Sequence, residues 1–325
     1  MLAGWYEKGG PADEVIRVGD IETPKPGPGE VLVRLHASGI NPSDYKKRAN
    51  AAGKMEFPRI IPHSDGAGVV EALGAGVTGY APGDRVWVFN AQWKRAFGTA
   101  AEYISLPAAL VRPLPANTSF AEGACFGIPA MTGFWSVFAD GPVTGKTVYV
   151  PGATGRVGAY AVQFAKWGGA RVIASSGSAA GVATCADLGA DIALDRRETD
   201  LTQKILAATN GRGVDRVVEV NFAGNLSVNE RILAEHGTIC NFGSGSPTAT
   251  IDIAGRRARN MSIRFIFVYL LDEAMRRATC EGVERAAADG ALKHRIAGRY
   301  PLTELARAHR EAEAASGTGH VVVEL

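Results

Sequence analysis

The chain has 325 residues, enough for two domains with separate cores, and its 46% hydrophobic and 21% charged content is that of an ordinary globular protein. A formal net charge of +2 is too mild to imply a nucleic-acid or membrane-surface partner, and no Lys/Arg run supports one. Four dispersed cysteines, Cys125, Cys185, Cys240 and Cys280, make no CxxC or metal-ligand spacing, which excludes a disulfide framework and predicts a reducing, cytoplasmic setting.

The segment from Met1 to Lys8 has neither the basic start nor the long apolar stretch of a secretion signal. Up to about residue 120 the chain is β-rich. The turn-forming Pro26-Gly27-Pro28-Gly29 precedes a predicted strand over 31–37, with further strands over 66–74 and, after Pro82-Gly83, over 84–89. Short strands at this spacing predict a closed or nearly closed barrel. Asn41-Pro42-Ser43-Asp44-Tyr45-Lys46 follows the first of them and is rich in side chains that donate hydrogen bonds. The same segment reads equally as a capped turn, with Asn41 or Ser43 capping a short helix and Lys46, Lys47 and Arg48 on its solvated face. His63 stands alone beside Pro62, as a histidine making an ordinary hydrogen bond or lining a cleft would.

Near residue 120 the pattern changes. A helix is predicted over 120–138, with Ser119 as N-cap and Glu122 completing a capping box. Strands over 147–150, 171–174, 192–194, 217–220 and 238–242 then alternate with helices over 157–167, 179–188, 201–209 and 226–233. That alternation predicts right-handed βαβ units and a parallel sheet with helices on both faces. Another strand is expected over 263–268, in an apolar stretch that Arg264 interrupts and that is too short to span a bilayer. Helices follow, and a terminal strand over 320–324 closes the chain.

The strand over 147–150 runs into Pro151-Gly152-Ala153-Thr154-Gly155-Arg156-Val157-Gly158, an A-x-G-x-x-G turn with Ala153 in place of the first glycine, and a helix follows. Strand, turn and helix in that order are the context of a dinucleotide fingerprint. Gly155 lets the backbone approach a pyrophosphate, Gly158 lets the helix pack closely on the strand, and the helix N-terminus offers N–H groups to phosphate. The upstream Gly141-Pro142-Val143-Thr144-Gly145-Lys146-Thr147 is one residue too short between its glycines for a triphosphate loop. It also precedes the strand instead of following it, which excludes triphosphate hydrolysis. An NAD site ends its second strand in an acid that holds the ribose hydroxyls. Here that strand ends in Ala174-Ser175-Ser176-Gly177-Ser178, and Arg196 and Arg197 follow the third strand. Serine hydroxyls and a guanidinium suit a 2′-phosphate, so the cofactor expected is NADPH.

These segments, together with Gly39-Ile40-Asn41-Pro42-Ser43-Asp44, Asp65-Gly66-Ala67-Gly68-Val69-Val70, Gly83-Asp84-Arg85-Val86, Gly127-Ile128-Pro129-Ala130-Met131-Thr132, Asn241-Phe242-Gly243 and Tyr300-Pro301-Leu302, carry a resemblance that runs nearly end to end. The chain resembles the zinc-independent quinone oxidoreductases of the zeta-crystallin type, within the medium-chain dehydrogenase/reductase superfamily. The resemblance implies an α/β protein in two domains. Residues 1–122 and 262–325 would form a GroES-like β-barrel catalytic domain, residues 123–261 a Rossmann doubly wound parallel-sheet domain, and the active site would lie in the cleft between them. It further implies Asn41 and Thr132 beside the cofactor, Phe242-Gly243 and Phe265 over its ring and ribose, and a homodimer built on the edge strand at 263–268. Asn221 is expected near the cofactor, in Glu219-Val220-Asn221-Phe222-Ala223-Gly224 where relatives often read Asp-x-x-Gly.

Zinc-dependent relatives carry Cys near position 41, His-Glu in the 64–65 region and Cys near 128. Here Asn41, Ser64-Asp65 and Ile128 stand there, so no metal is expected. Where quinone reductases read Asn-x-x-Asp/Glu-Thr-Tyr, this chain has its tyrosine one residue earlier, at Tyr45, with Lys46 in the usual place. The activity implied is hydride transfer from NADPH to a small quinone or other α,β-unsaturated carbonyl. Asn41, Tyr45, Lys46 or a water would serve the oxygen on which charge develops. An enoyl reductase on the same fold, a zinc-type alcohol dehydrogenase and an NADPH-binding structural or regulatory protein are the alternatives.

Overall fold

The computed structural model describes residues 1–50, 55–314 and 319–325. The chain divides into two compact units, one made of Met1–Pro129, Val283–Gly290 and His294–Leu325, the other of Ala130–Gly282 and Ala291–Lys293.

In the first unit β1 (Leu2–Trp5) and β2 (Arg17–Asp20) pair antiparallel on either side of α1 (Ala12–Val15). The Pro-Gly-Pro-Gly turn leads into β3 (Glu30–Ile40), longer than the strand predicted over 31–37. Then come α2 (Pro42–Asn50), β4 (Asp65–Leu73), β5 (Arg85–Val88), β6 (Tyr103–Pro107), β7 (Val111–Pro113) and α3 (Phe120–Gly123). Ser119 and Glu122 form the predicted capping box at the start of α3. The helix does not run on to 138. Pro129 has no N–H to give, and a wide turn at Phe126–Ala130 separates α3 from α4 (Met131–Phe138).

The second unit continues with β8 (Thr147–Pro151), α5 (Arg156–Trp167), β9 (Arg171–Ser176), α6 (Ala179–Asp187), β10 (Ile192–Asp195), α7 (Leu201–Ala208), β11 (Val214–Glu219), α8 (Phe222–Ile232) and β12 (Leu233–Asn241). After α9 (Ile253–Ala258), β13 (Ser262–Phe265) and α10 (Glu273–Ala288) follow. Among the described residues the sheet order is β10-β9-β8-β11-β12-β13, with every neighbouring pair parallel. The predicted doubly wound sheet is therefore present, and its order reverses between β8 and β11. Tyr149, Ile173, Val217 and Ile239 pack from the sheet against Ile205 of α7 and Leu226 of α8. β13 is shorter than the strand expected over 263–268 and hydrogen-bonds to β12. The division between units accordingly falls at 282/283 on this side, where the resemblance implied 261/262, and at 129/130 on the other, where it implied 122/123.

The chain returns to the first unit with β14 (Ile296–Pro301), α11 (Leu305–Ala314) and β15 (His320–Glu324). Its main sheet runs β14-β15-β3-β4-β5-β7, and β6 also pairs with β3. One edge of β3 serves two partners, β6 along residues 30–34 and β15 along 37–40. Register shifts at Leu32/Val33 and Leu35/Ala37 bend and twist this strand, as a sheet that curls toward a barrel requires. Val31, Val33, Leu35, Val70, Val86 and Ile104 fill the core beneath it.

Candidate functional site

The turn between β8 and α5 lies at the order reversal of the parallel sheet, outside the carboxyl ends of the strands, where open α/β sheets bind ligands. Gly152 has φ +63, a conformation that disfavours any side chain. A Cβ on Gly158 would lie 2.5 Å from the Gly152 carbonyl oxygen, so only glycine lets α5 approach the loop this closely. Gly155 is the N-cap and brings no side-chain acceptor to the first turn of α5. The helix dipole and first-turn amides are thus presented to an anion without a side-chain competitor.

The end of β9 separates the two serines. The Ser175 hydroxyl is buried and bonded to the Tyr149 hydroxyl at 2.8 Å, and burial pushes the Tyr149 phenol up to about 12. Ser176 instead meets Thr154 across the loop, at 3.3 Å between hydroxyl oxygens. Ser178 caps α6 by accepting from Gly181 N–H. The arginines also part. Arg197 is committed to Asp195 by side-chain hydrogen bonds of 2.5–3.1 Å, which hold that carboxyl down at about 2. Arg196 forms no ion pair among the described residues; its guanidinium lies over Gly177, within 2.8 Å of where a Cβ there would sit. Thr154 and Ser176 therefore meet at the end of β9, and Arg196 lies over the adjoining Gly177.

A cavity of about 290 Å³ opens between the ends of β8 and β11, lined by Tyr149, Pro151, Gly152, Arg196, Leu201 and Val220 together with Asn221, Asn225, Val228 and Asn229. Glu219, fully buried at the end of β11, accepts from the Asn221 N–H at 2.5 Å, from Asn225 Nδ2 at 2.9 Å and from Asn229 Nδ2 at 2.5 Å. Of this group the sequence reading named Asn221 alone. The signal for the others was an asparagine at every fourth position, 221, 225 and 229, which places all three on one stripe of α8.

Just past the end of β12, Gly243 passes so close to Val220 that a Cβ would lie 2.6 Å from its carbonyl oxygen, and Phe242 N–H donates to the Glu219 carbonyl. Phe265, at the end of β13, is 72% exposed, with its ring 6.0 Å from that of Phe222. Thr132 is buried on α4.

In the first unit, three positions distant in sequence converge. Asp65 Oδ2 accepts from Asn41 Nδ2 at 2.7 Å and from the Ile128 N–H at 2.8 Å. These are the places where zinc-dependent relatives carry ligands, but two of the three groups supply hydrogens where a metal needs lone pairs. Asp65 is fully buried. Burial, with the nearby charge of Asp44, raises its carboxyl well above the ordinary range, against the two hydrogen bonds that lower it. Among the described residues no group of three His, Cys, Asp or Glu side chains is arranged to hold a metal ion. The residues present do not fit a catalytic zinc.

Asn41 precedes α2, and its N–H donates to Asp44 Oδ2 at 2.7 Å, the capped-turn geometry. Asn41, Asp44 and Arg48 are buried on one side of α2, Tyr45 is half-buried against the apolar core, and Lys46 is exposed. The helix thus brings Asn41 and Tyr45 to one side and Lys46 to the other. Lys47 pairs with Glu56, and no ion pair is found for Lys46 among the described residues.

His63 makes the hydrogen bonds expected of an ordinary histidine, in a buried chain. The Thr99 hydroxyl donates to the Asp65 carbonyl, so Ser38 donates to Thr99 at 2.7 Å and accepts from His63 Nδ1–H at 2.8 Å. His63 Nε2 is then a bare acceptor for His309 Nε2–H at 2.9 Å, which leaves His309 Nδ1 buried and, among the described residues, without a partner. Burial pushes the His63 imidazole down to about 3. It pushes His309 well below its ordinary value, helped by the charges of His63 and Arg48.

Known proteins resemble the chain along its length. Residues 27–116 match the family model described as "Alcohol dehydrogenase GroES-like domain", and residues 157–283 match "Zinc-binding dehydrogenase". The human quinone oxidoreductase is 30% identical over 323 residues, covering 98% of this chain and 95% of the relative. A mycobacterial protein solved in complex with NADPH superposes with a TM-score of 0.86 at 27% identity, over 100% of both chains. A solved NAD-dependent alcohol dehydrogenase superposes with a TM-score of 0.88 at 30% identity, again over 100% of both chains.

Proposed function

Because the chain belongs to the quinone oxidoreductase family of the medium-chain dehydrogenase/reductase superfamily, we propose that it reduces small quinones or other α,β-unsaturated carbonyl compounds with NADPH, without zinc. The observation that carries this reading is the Asn41–Asp65–Ile128 cluster, closed on itself by hydrogen bonds where a zinc enzyme keeps its ligands. A simple carbonyl or alcohol needs an electrophile to hold its oxygen charge, whereas a conjugated acceptor spreads that charge itself.

When bound, NADPH supplies the hydride. The residues that would hold it are the loop Gly152, Ala153, Thr154, Gly155, Arg156, Val157 and Gly158 for the pyrophosphate, and Ser176 with Arg196 for the 2′-phosphate. Ser175, turned toward Tyr149, would act by fixing the end of β9. Phe242, Gly243, Thr132, Asn221 and Phe265 remain the candidates for the rest of the cofactor. On the acceptor side, Asn41 retains one amide hydrogen beyond the one given to Asp65 and Tyr45 offers its hydroxyl, whereas the expected Lys46 lies on the other, exposed side of α2. A homodimer through β13 is supported by an open sheet edge among the described residues and by the exposed Phe265, Phe267 and Leu270 beside it. A cytoplasmic setting is supported by four cysteines that are all buried and, among the described residues, in no disulfide. No described helix is long and apolar enough to cross a membrane.

A screen of NADPH and NADH oxidation against quinones and enones tests the reading. Turnover is expected with members of that panel and preference for NADPH; no turnover with any of them would refute it. Arg196→Ala is expected to weaken NADPH binding by about 1–3 kcal/mol and NADH binding far less, because the lost contact is charge-assisted and specific to the 2′-phosphate. Dinucleotide titration checks this, and equal losses for the two cofactors would remove Arg196 from the phosphate site.

A further inference from the structure

We infer that Thr99 is a positioning residue for the reaction. It holds the Asn41–Asp65 pair in place at the end of a buried, one-way chain of hydrogen bonds, an inference that rests on the role given to Asn41 above. The two members of the pair come from different strands. Asn41 stands one residue past the end of β3, and Asp65 opens β4, with Gly39 beside Asp65 and Ser38 beside Gly66 in the register. The 2.7 Å bond from Asn41 Nδ2 to Asp65 Oδ2 therefore depends on how firmly these two strand ends are held together. Thr99 bridges them. Its hydroxyl accepts from Ser38 Oγ of β3 at 2.7 Å and donates to the Asp65 carbonyl of β4 at 2.7 Å, and its own N–H is anchored on the His63 carbonyl at 3.0 Å.

Every link points toward Asp65. A carbonyl can only accept, which makes Thr99 its donor, Ser38 the donor to Thr99, His63 Nδ1–H the donor to Ser38 and His309 Nε2–H the donor to His63. All five residues are fully buried, so water does not compete and each bond polarises the next. The backbone gives up freedom to make the chain. His63 sits at φ +76, a conformation costly for a side chain, and a Cβ on Gly98 would lie 2.0 Å from the His63 carbonyl oxygen. A donor displaced by about 1 Å from its productive place can cost on the order of 100-fold in rate, which is what such a brace prevents.

The test is a double-mutant cycle on steady-state kinetics with NADPH and the best acceptor of the quinone and enone panel. Thr99→Val keeps the shape and removes the hydroxyl. It is expected to lower kcat/KM by about five- to tenfold, divided between kcat and KM as in Asn41→Ala. Thr99→Ser restores the hydroxyl and is expected to return to within about twofold of the native rate. In an Asn41→Ala background Thr99→Val should cost less than about twofold more, because the group it positions is gone. The same loss in both backgrounds, or native rates in Thr99→Val, would overturn the inference while leaving the role of Asn41 intact. Native rates in Asn41→Ala would overturn that role and the inference with it. If Thr99→Val does not fold, the native protein decides through nitrogen NMR of its histidines. His63 protonated on Nδ1 and His309 on Nε2 are expected, and the opposite tautomers would overturn the chain.

Discussion

Acidification from pH 6 to pH 4.5 is expected to cost the native chain about 4 kcal/mol of stability. His63 and His309 are neutral in the fold because each is desolvated and neither has room for a second proton. A proton on His63 Nε2 would face His309 Nε2–H at 2.9 Å, and one on His309 Nδ1 would find no acceptor. Unfolding frees both to titrate near 6.5, whereas the native His63 holds out to about 3 and His309 is likewise far below 6.5. His294 adds a third group, pushed down to about 4 by burial against the opposing charge of Glu122. Each depressed histidine binds its proton in the unfolded chain first, so stability falls as pH drops below 6.5, by about 1.4 kcal/mol per pH unit per group.

Asp65 acts in the opposite sense. Its raised carboxyl keeps a proton in the fold that the unfolded chain has lost above 3.8, so lowering the pH relieves one group's worth of cost. Three histidines against one aspartate leave about two protons, or roughly 2.7 kcal/mol per pH unit. Denaturant unfolding measured across this range checks the slope, and a flat profile would contradict it. His309→Gln keeps a donor toward His63 and removes one titrating group, so it is expected to lower the slope by about 1.4 kcal/mol per pH unit.

Asn41→Ala is expected to lower kcat/KM by about 100-fold, the effect of removing one preorganised donor from a developing oxyanion. The loss should fall in kcat if the donor acts only on the charge that develops, and in KM if it merely holds the acceptor. The substitution also takes a hydrogen bond from Asp65, so a stability loss of about 1–3 kcal/mol accompanies it, and thermal unfolding separates the two effects. Tyr45→Phe, with its ring half-buried in the core and its hydroxyl alone removed, is expected to cost about tenfold in kcat if that hydroxyl serves the acceptor. Native rates in Tyr45→Phe would return the proton to water, and native rates in Asn41→Ala as well would move the reacting centre away from α2.

The turn between β8 and α5 was legible in the sequence because its geometry dictates residue types. A backbone at φ +63, and a loop carbonyl 2.5 Å from where a Cβ on α5 would fall, leave glycine as the residue that fits, and such constraints survive in the text of the chain. The alternation that gave the parallel sheet was legible for a similar reason, since strands buried on both faces must be apolar. Boundaries were less so. β12 begins at Leu233, directly after α8, and His236 at φ +59 lets it turn into the strand that was expected only from 238. The wide turn at Phe126–Ala130 was hidden because Phe126, Ile128 and Met131 keep an apolar pattern through Pro129. The asparagine stripe was missed for a physical reason too. Polar residues one turn apart look like a solvated helix face, and what holds these is Glu219, a carboxylate on a different element.

Turnover by metal-stripped protein tests the central claim most directly. The chain would be treated with chelator, assayed for zinc by elemental analysis, and mixed with NADPH and the quinones and enones of the panel. Full activity with no stoichiometric zinc is the predicted result, because Asn41 and Ile128 turn N–H groups, not lone pairs, toward Asp65. One tightly bound zinc per chain, with activity lost on its removal and restored by its return, would contradict the account.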